Sequence, residues 1–185
     1  MIDRRRVLPL LASLAATPAL AQTGMSRMTA YAFSFAALKG GDSKLGDYAG
    51  KPILVVNTAS QCGYTPQYAG LQALWTRFHE RGLMIVGVPS NDFFQEPGAA
   101  AEIEATAHQY NVDFPLAEKT SVRGTGAHPF YRWAALEKPL NPPRWNFHKY
   151  LVGRDGHIAA AFSSAIEPLD ARVIAAIDKE FGKQA

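Results

Sequence analysis

The sequence predicts an α/β fold in which a central mixed sheet is flanked by helices, and three observations carry that prediction. Residues 53–56 and 83–88 are short continuous apolar runs, the pattern of strands buried on both faces. Between them Leu71, Leu74, Trp75 and Phe78 recur at helical spacing, which makes a βαβ unit with parallel neighbouring strands and a right-handed crossover. Toward the C-terminus, residues 147–151 and 157–162 flank Asp155-Gly156, a hairpin signal, and a further helix follows.

Residues 31–36 alternate apolar and polar positions as a half-buried strand does, and a turn-rich stretch, 39–51, follows. After the strand at 53–56 comes a loop, Ala59-Ser60-Gln61-Cys62-Gly63-Tyr64. Thr65 then offers a capping hydroxyl and Pro66 suits a first helical turn. That helix is expected to stop at Arg81-Gly82, and the next strand at Pro89. Helices are expected over 99–110, over 128–136 and over 169–181, the last with Val173, Ile174 and Ile177 on one face. This order is that of a thioredoxin-like fold with additions in the middle. There is no internal repeat, low-complexity tract or linker.

With 48% hydrophobic and 19% charged residues the 185-residue chain has globular composition, and its net charge is +3. The excess sits at the start, where Arg4, Arg5 and Arg6 precede an apolar run over 7–16 and the small residues Ala19 and Ala21. That run is shorter than a membrane span needs, so no stable span is expected. The pattern predicts a secretory signal peptide over 1–21, of Sec or twin-arginine type, with a mobile leader over 22–29 and one domain over 30–185. Export places the protein in a periplasmic or extracellular setting. Without Asp3 and the three arginines, the 19 basic and 16 acidic residues become 16 and 15, and the charge +1. Nucleic-acid binding loses its electrostatic argument.

One cysteine rules out an internal disulfide and any multi-cysteine metal site. The five histidines include no H-x-x-x-H pair, so no metal is expected. A lone cysteine is commonly a small buried hydrophobe. Cys62, however, falls between a buried strand and a helix start, where free backbone N–H groups and the helix dipole stabilise a thiolate. Such a position suits a nucleophile. Lys149 and Arg154 read as solvated hairpin charges in preference to an attractor for an anionic thiol.

Three blocks of residues resemble the glutathione peroxidase family, in family order. The first is Asn57-Thr58-Ala59-Ser60-Gln61-Cys62-Gly63-Tyr64-Thr65. The second is Pro89-Ser90-Asn91-Asp92-Phe93 with Gln95-Glu96-Pro97-Gly98, and the third is Arg144-Trp145-Asn146-Phe147-His148-Lys149-Tyr150-Leu151-Val152. The resemblance implies a thioredoxin-like fold with the additions of that family, acting in oxidative-stress defence. It implies reduction of hydrogen peroxide and organic or lipid hydroperoxides without a resident cofactor, glutathione or another thiol being the co-substrate. It also implies that Cys62 is the peroxidatic residue and that Trp145 and Asn146 are N–H donors near the sulfur. An indole and a carboxamide supply such donors without adding another acid or base.

Two departures bear on mechanism. Asp92 stands where the family carries glutamine, in a segment one residue shorter than the common pattern. A carboxylate beside Cys62 opposes thiolate formation, so Asp92 must turn away, be screened or hold a proton, with Gln95 as a substitute amide. Ala107 stands near the position of the resolving cysteine in thioredoxin-using relatives. The expected partners are therefore a peroxide and an external low-molecular-weight thiol or thioredoxin-like reductant, which returns a Cys62 sulfenic acid to thiol. No conspicuous long insertion lies between Phe130 and Trp145, and the resemblance then implies the compact, monomeric form of the family. Thiol–disulfide exchange and copper delivery call for a second cysteine close to the first, and there is none. The remaining alternative is a non-catalytic peroxide sensor or thiol-binding module on the same fold.

Overall fold

The computed structural model describes residues 28–182. The predicted signal peptide, leader residues 22–27 and residues 183–185 lie outside the described residues. A small antiparallel hairpin pairs β1 (Ser34–Ala36) with β2 (Asp42–Lys44). Gly40 and Gly41, both at positive φ, turn the chain between them. The main sheet has the order β4-β3-β5-β6, with β3 (Ile53–Thr58), β4 (Met84–Pro89), β5 (Lys149–Val152) and β6 (Ile158–Phe162). β3 runs parallel to β4 and antiparallel to β5, and β5 pairs antiparallel with β6. The helices are α1 (Gln67–Phe78), α2 (Ala100–Gln109), α3 (Pro129–Glu137) and α4 (Ala171–Gly182).

The apolar run of β3 is continuous because both of its faces are covered. Ile53 and Val55 point into a cluster with Phe35, Phe130, Tyr131 and Val152 on the α3 side. Leu54 and Val56 point the other way, to Leu71, Leu74, Phe78, Val173 and Ile177 of α1 and α4. Gly82, at φ +103, ends the short 3₁₀ extension of α1, as the sequence predicts.

Three local expectations are corrected. Residues 30–32 form a 3₁₀ turn, and the strand is confined to Ser34–Ala36. The turn is drawn to the β5–β6 connection, where Ala30 N–H donates to Gly156 O and the Tyr31 hydroxyl to Arg154 O. The turn-rich stretch also contains β2, a strand too short and polar to show alternation. Thr65 does not cap α1. The helix begins at Gln67 without a side-chain cap, because the Thr65 hydroxyl is engaged inside the Cys62 loop.

Candidate active site

Cys62 lies just beyond the C-terminal end of β3, 7% exposed, in a turn that ties itself together. The Thr65 hydroxyl donates to Ala59 O at 2.9 Å and accepts from Cys62 N–H at 3.1 Å, and Thr65 N–H returns to Cys62 O. Tyr64 N–H donates to Cys62 Sγ at 3.4 Å. The turn is held from behind by Glu96, whose Oε2 accepts from Ser60 N–H at 2.8 Å and Ser60 Oγ at 2.9 Å. Burial lifts the Glu96 carboxyl above its ordinary value against those hydrogen bonds, and its Oε1 has no partner among the described residues.

A second wall comes from residues 145–147, which precede β5. Asn57 at the end of β3 clamps this bend. Its Nδ2 donates to Trp145 O at 3.0 Å, and its carbonyl accepts from Phe147 N–H. Phe147 is held at φ +63, a backbone region bulky residues avoid, so packing must enforce it. The bend leaves Asn146 fully buried and Trp145 41% exposed, with the indole ring 5.5 Å from Phe93. Asn146 Nδ2 donates to Gln95 Oε1 at 3.0 Å, and Gln95 O accepts from Gln61 N–H at 3.0 Å. Gln95 thus bridges the Cys62 loop and the Asn146 wall, and its own NH₂ group has no partner among the described residues.

Asp92 faces elsewhere. Its Oδ2 accepts from Val122 N–H at 2.6 Å, Arg123 N–H at 3.0 Å and Ser121 Oγ at 3.1 Å. It anchors the 121–123 loop, while Gln95 occupies the place between sulfur loop and wall. Ala107, at the expected resolving position, is buried on α2.

Lys149 is not a solvated hairpin charge. It is fully buried, with Nζ donating to Gln67 Oε1 at 2.7 Å, Phe147 O at 2.8 Å and Ile166 O at 2.7 Å. Burial lowers its pKa from 10.5 to about 8. The ammonium fastens the Phe147 corner to the start of α1, a use in which a compact charge with three donors serves well. Arg154 lies at the β5–β6 turn and donates to Gly50 O. His148 is buried next to Lys149 in sequence, its ring edge-on to Tyr150 at 4.6 Å and its Nε2 without a partner among the described residues. Burial first, and then the Lys149 charge, lower its pKa from 6.5 to about 4.

The sequence pattern of the glutathione peroxidase family matches residues 30–135. The chain belongs to the glutathione peroxidase family. It is a single-cysteine member, Cys62 being the one sulfhydryl. A hydroperoxy fatty acid reductase of Synechocystis sp. is 43% identical over 157 residues, covering 79% of this chain and 93% of that protein. The crystal structure of Trgpx in apo form superposes with a TM-score of 0.70 at 31% identity, over 85% of this chain and 99% of that one. A thioredoxin-family thiol:disulfide interchange protein of Chlorobium tepidum shares the fold at a TM-score of 0.60 and 14% identity, over 81% of this chain and 93% of that one. The fold of this glutathione peroxidase family member is therefore thioredoxin-like.

Three residues at this site carry work that the motif reading did not assign. Asn57 orients the Trp145–Phe147 bend, Tyr64 N–H faces the sulfur, and Glu96 braces Ser60. The first had a signal, since an asparagine directly following an apolar buried run needs a polar partner inside the fold.

Proposed function

We propose that Cys62 of this glutathione peroxidase family member is the peroxide-reacting sulfur of a thiol-dependent peroxidase. The observation that carries the reading is the sulfur loop's attachment, through Gln95, to the Asn146 and Trp145 wall. The Cys62 thiolate attacks the terminal oxygen of ROOH. The S–O bond forms as the O–O bond breaks, and the departing RO⁻ takes a proton and leaves as ROH or water. Tyr64 N–H stabilises the sulfur anion, and the Gln95 NH₂ and Trp145 indole N–H meet the developing oxygen charge. Asp92 acts as a positioning residue, fixing the segment that carries Gln95 by holding the 121–123 loop.

The sulfenic acid on Cys62 then reacts with an external thiol, releasing water and leaving a mixed disulfide. A second thiol displaces Cys62, so each hydroperoxide consumes two thiols and yields one disulfide. Glutathione or a thioredoxin-like protein is the donor, for no second sulfur of this chain closes the cycle. Substrates are hydrogen peroxide and organic or lipid hydroperoxides, in line with the name of the Synechocystis relative. The protein works as an exported monomer in oxidative-stress defence.

The test is mass spectrometry of the purified mature protein after addition of peroxide, with Cys62→Ser as control. Oxidation of Cys62 by one oxygen atom, faster than that of a free thiol, followed by steady turnover on adding glutathione or thioredoxin, is expected. Oxidation no faster than a free thiol refutes the enzyme.

A further inference from the structure

Beside the reacting sulfur the fold keeps an aromatic side chain that its own stability does not explain. Phe94 directly precedes Gln95, is 86% exposed and has φ +60. A left-handed backbone normally selects glycine, and a phenyl ring facing water gains nothing from folding. Phe93, the residue before Phe94, takes the ring of Trp145, itself 41% exposed, at 5.5 Å. Arg123 also lies against Phe93, its guanidinium 4.9 Å from the ring centre. That guanidinium makes no hydrogen bond among the described residues. Among the described residues its neighbour Asp92 makes no ion pair with the guanidinium, the carboxylate being turned onto the Ser121 hydroxyl and the backbone N–H groups of Val122 and Arg123. Apolar surface and a cation without a hydrogen bond thus meet at Phe93, two residues before Gln95, which is bonded to the Cys62 loop.

We propose that Phe94 and Trp145 form a shelf for the chain of a long-chain hydroperoxide bearing a carboxylate, and that Arg123 holds that carboxylate. The inference rests on the peroxidase reading and adds to it a specificity-determining surface. Hydrogen peroxide is too small to use the shelf. An apolar chain laid across Phe94 and Trp145 removes both rings from water, and the guanidinium offers paired N–H donors to a carboxylate. An ester of the same chain keeps the first contact and loses the second.

The experiment compares kcat/KM for linoleic acid hydroperoxide, its methyl ester and hydrogen peroxide, all below micellar concentrations. Phe94→Gly relieves the backbone and is expected to fold. It should lower the ratio of either lipid substrate to hydrogen peroxide on the order of tenfold. Arg123→Gln should lower the acid about fivefold relative to the ester. A lipid-to-peroxide ratio unchanged by Phe94→Gly, or equal responses of acid and ester to Arg123→Gln, overturns the proposal. Binding of the corresponding hydroxy fatty acid to the Cys62→Ser protein, measured by calorimetry with and without each substitution, needs no turnover. Binding weakened by both substitutions supports the shelf even if catalysis fails, and binding indifferent to both removes it even if hydrogen peroxide is reduced.

Discussion

Replacing His148 by phenylalanine should stabilise the protein, and increasingly so in acid. The ring is buried against Tyr150, and Nε2 has no partner among the described residues, so at neutral pH the wild type carries an unsatisfied nitrogen that a phenyl ring lacks. Removing such a group is worth about 1 kcal/mol. The larger effect is proton linkage. The folded protein holds the His148 pKa at about 4, and the unfolded chain returns it to about 6.5. Above 6.5 both states are neutral there. As the pH falls through 6.5 the unfolded chain takes up a proton that the folded protein refuses, so stability declines until about pH 4. At roughly 1.4 kcal/mol per pH unit the full decline is about 3 kcal/mol. Urea unfolding of wild type and His148→Phe at pH 7, 6, 5 and 4 isolates the contribution as a difference, since other titrating groups are common to both. The gap should widen from about 1 to about 4 kcal/mol with an unchanged urea slope. Parallel curves across this range, or a variant less stable than wild type at pH 7, would refute the reasoning.

Asp92→Ala should cost about 2 kcal/mol, because Val122 and Arg123 N–H lose a charged acceptor. It should also slow reaction of Cys62 with peroxide, and stopped-flow oxidation at the wild-type rate with an unchanged thiol titration would remove its positioning role. Asn57→Ala frees the Trp145 carbonyl and should reduce kcat/KM for hydrogen peroxide about tenfold, with rescue by glutamine no better than partial, since the longer amide cannot meet Trp145 O at the same distance. Steady-state kinetics alongside urea unfolding separates this from a general loss of stability.

The central sheet was legible because β3 and β4 are apolar on both faces and the helix between them repeats at helical spacing. The hairpin β5–β6 was legible from Asp155-Gly156. β2 was not, since Asp42, Ser43 and Lys44 carry no apolar alternation and pair with β1 through the backbone. Cys62 was placed correctly at a strand end. Thr65 was read as a helix cap because a hydroxyl before proline has that local use, whereas a contact back to Ala59 depends on a turn that sequence spacing does not reveal. Lys149 was read as solvated on residue type alone. Its burial follows from acceptors that converge only after folding, Gln67 from α1 and Ile166 from the loop after β6. Gln95 bonds toward Asn146 and Asp92 toward Val122, a division that residue type and order along the segment did not reveal because it depends on how the folded segment aims each side chain.

The bond from Asn57 to Trp145 spans 88 residues of chain. The two walls around the sulfur are thus made at different times during synthesis, with the Cys62 loop emerging well before the Trp145 bend and β5. Until β5 pairs with β3, Cys62 has its local turn but lacks the Asn146 and Trp145 side. A nascent chain therefore presents a bare thiol, and the guarded sulfur exists only after the last strands have closed the sheet.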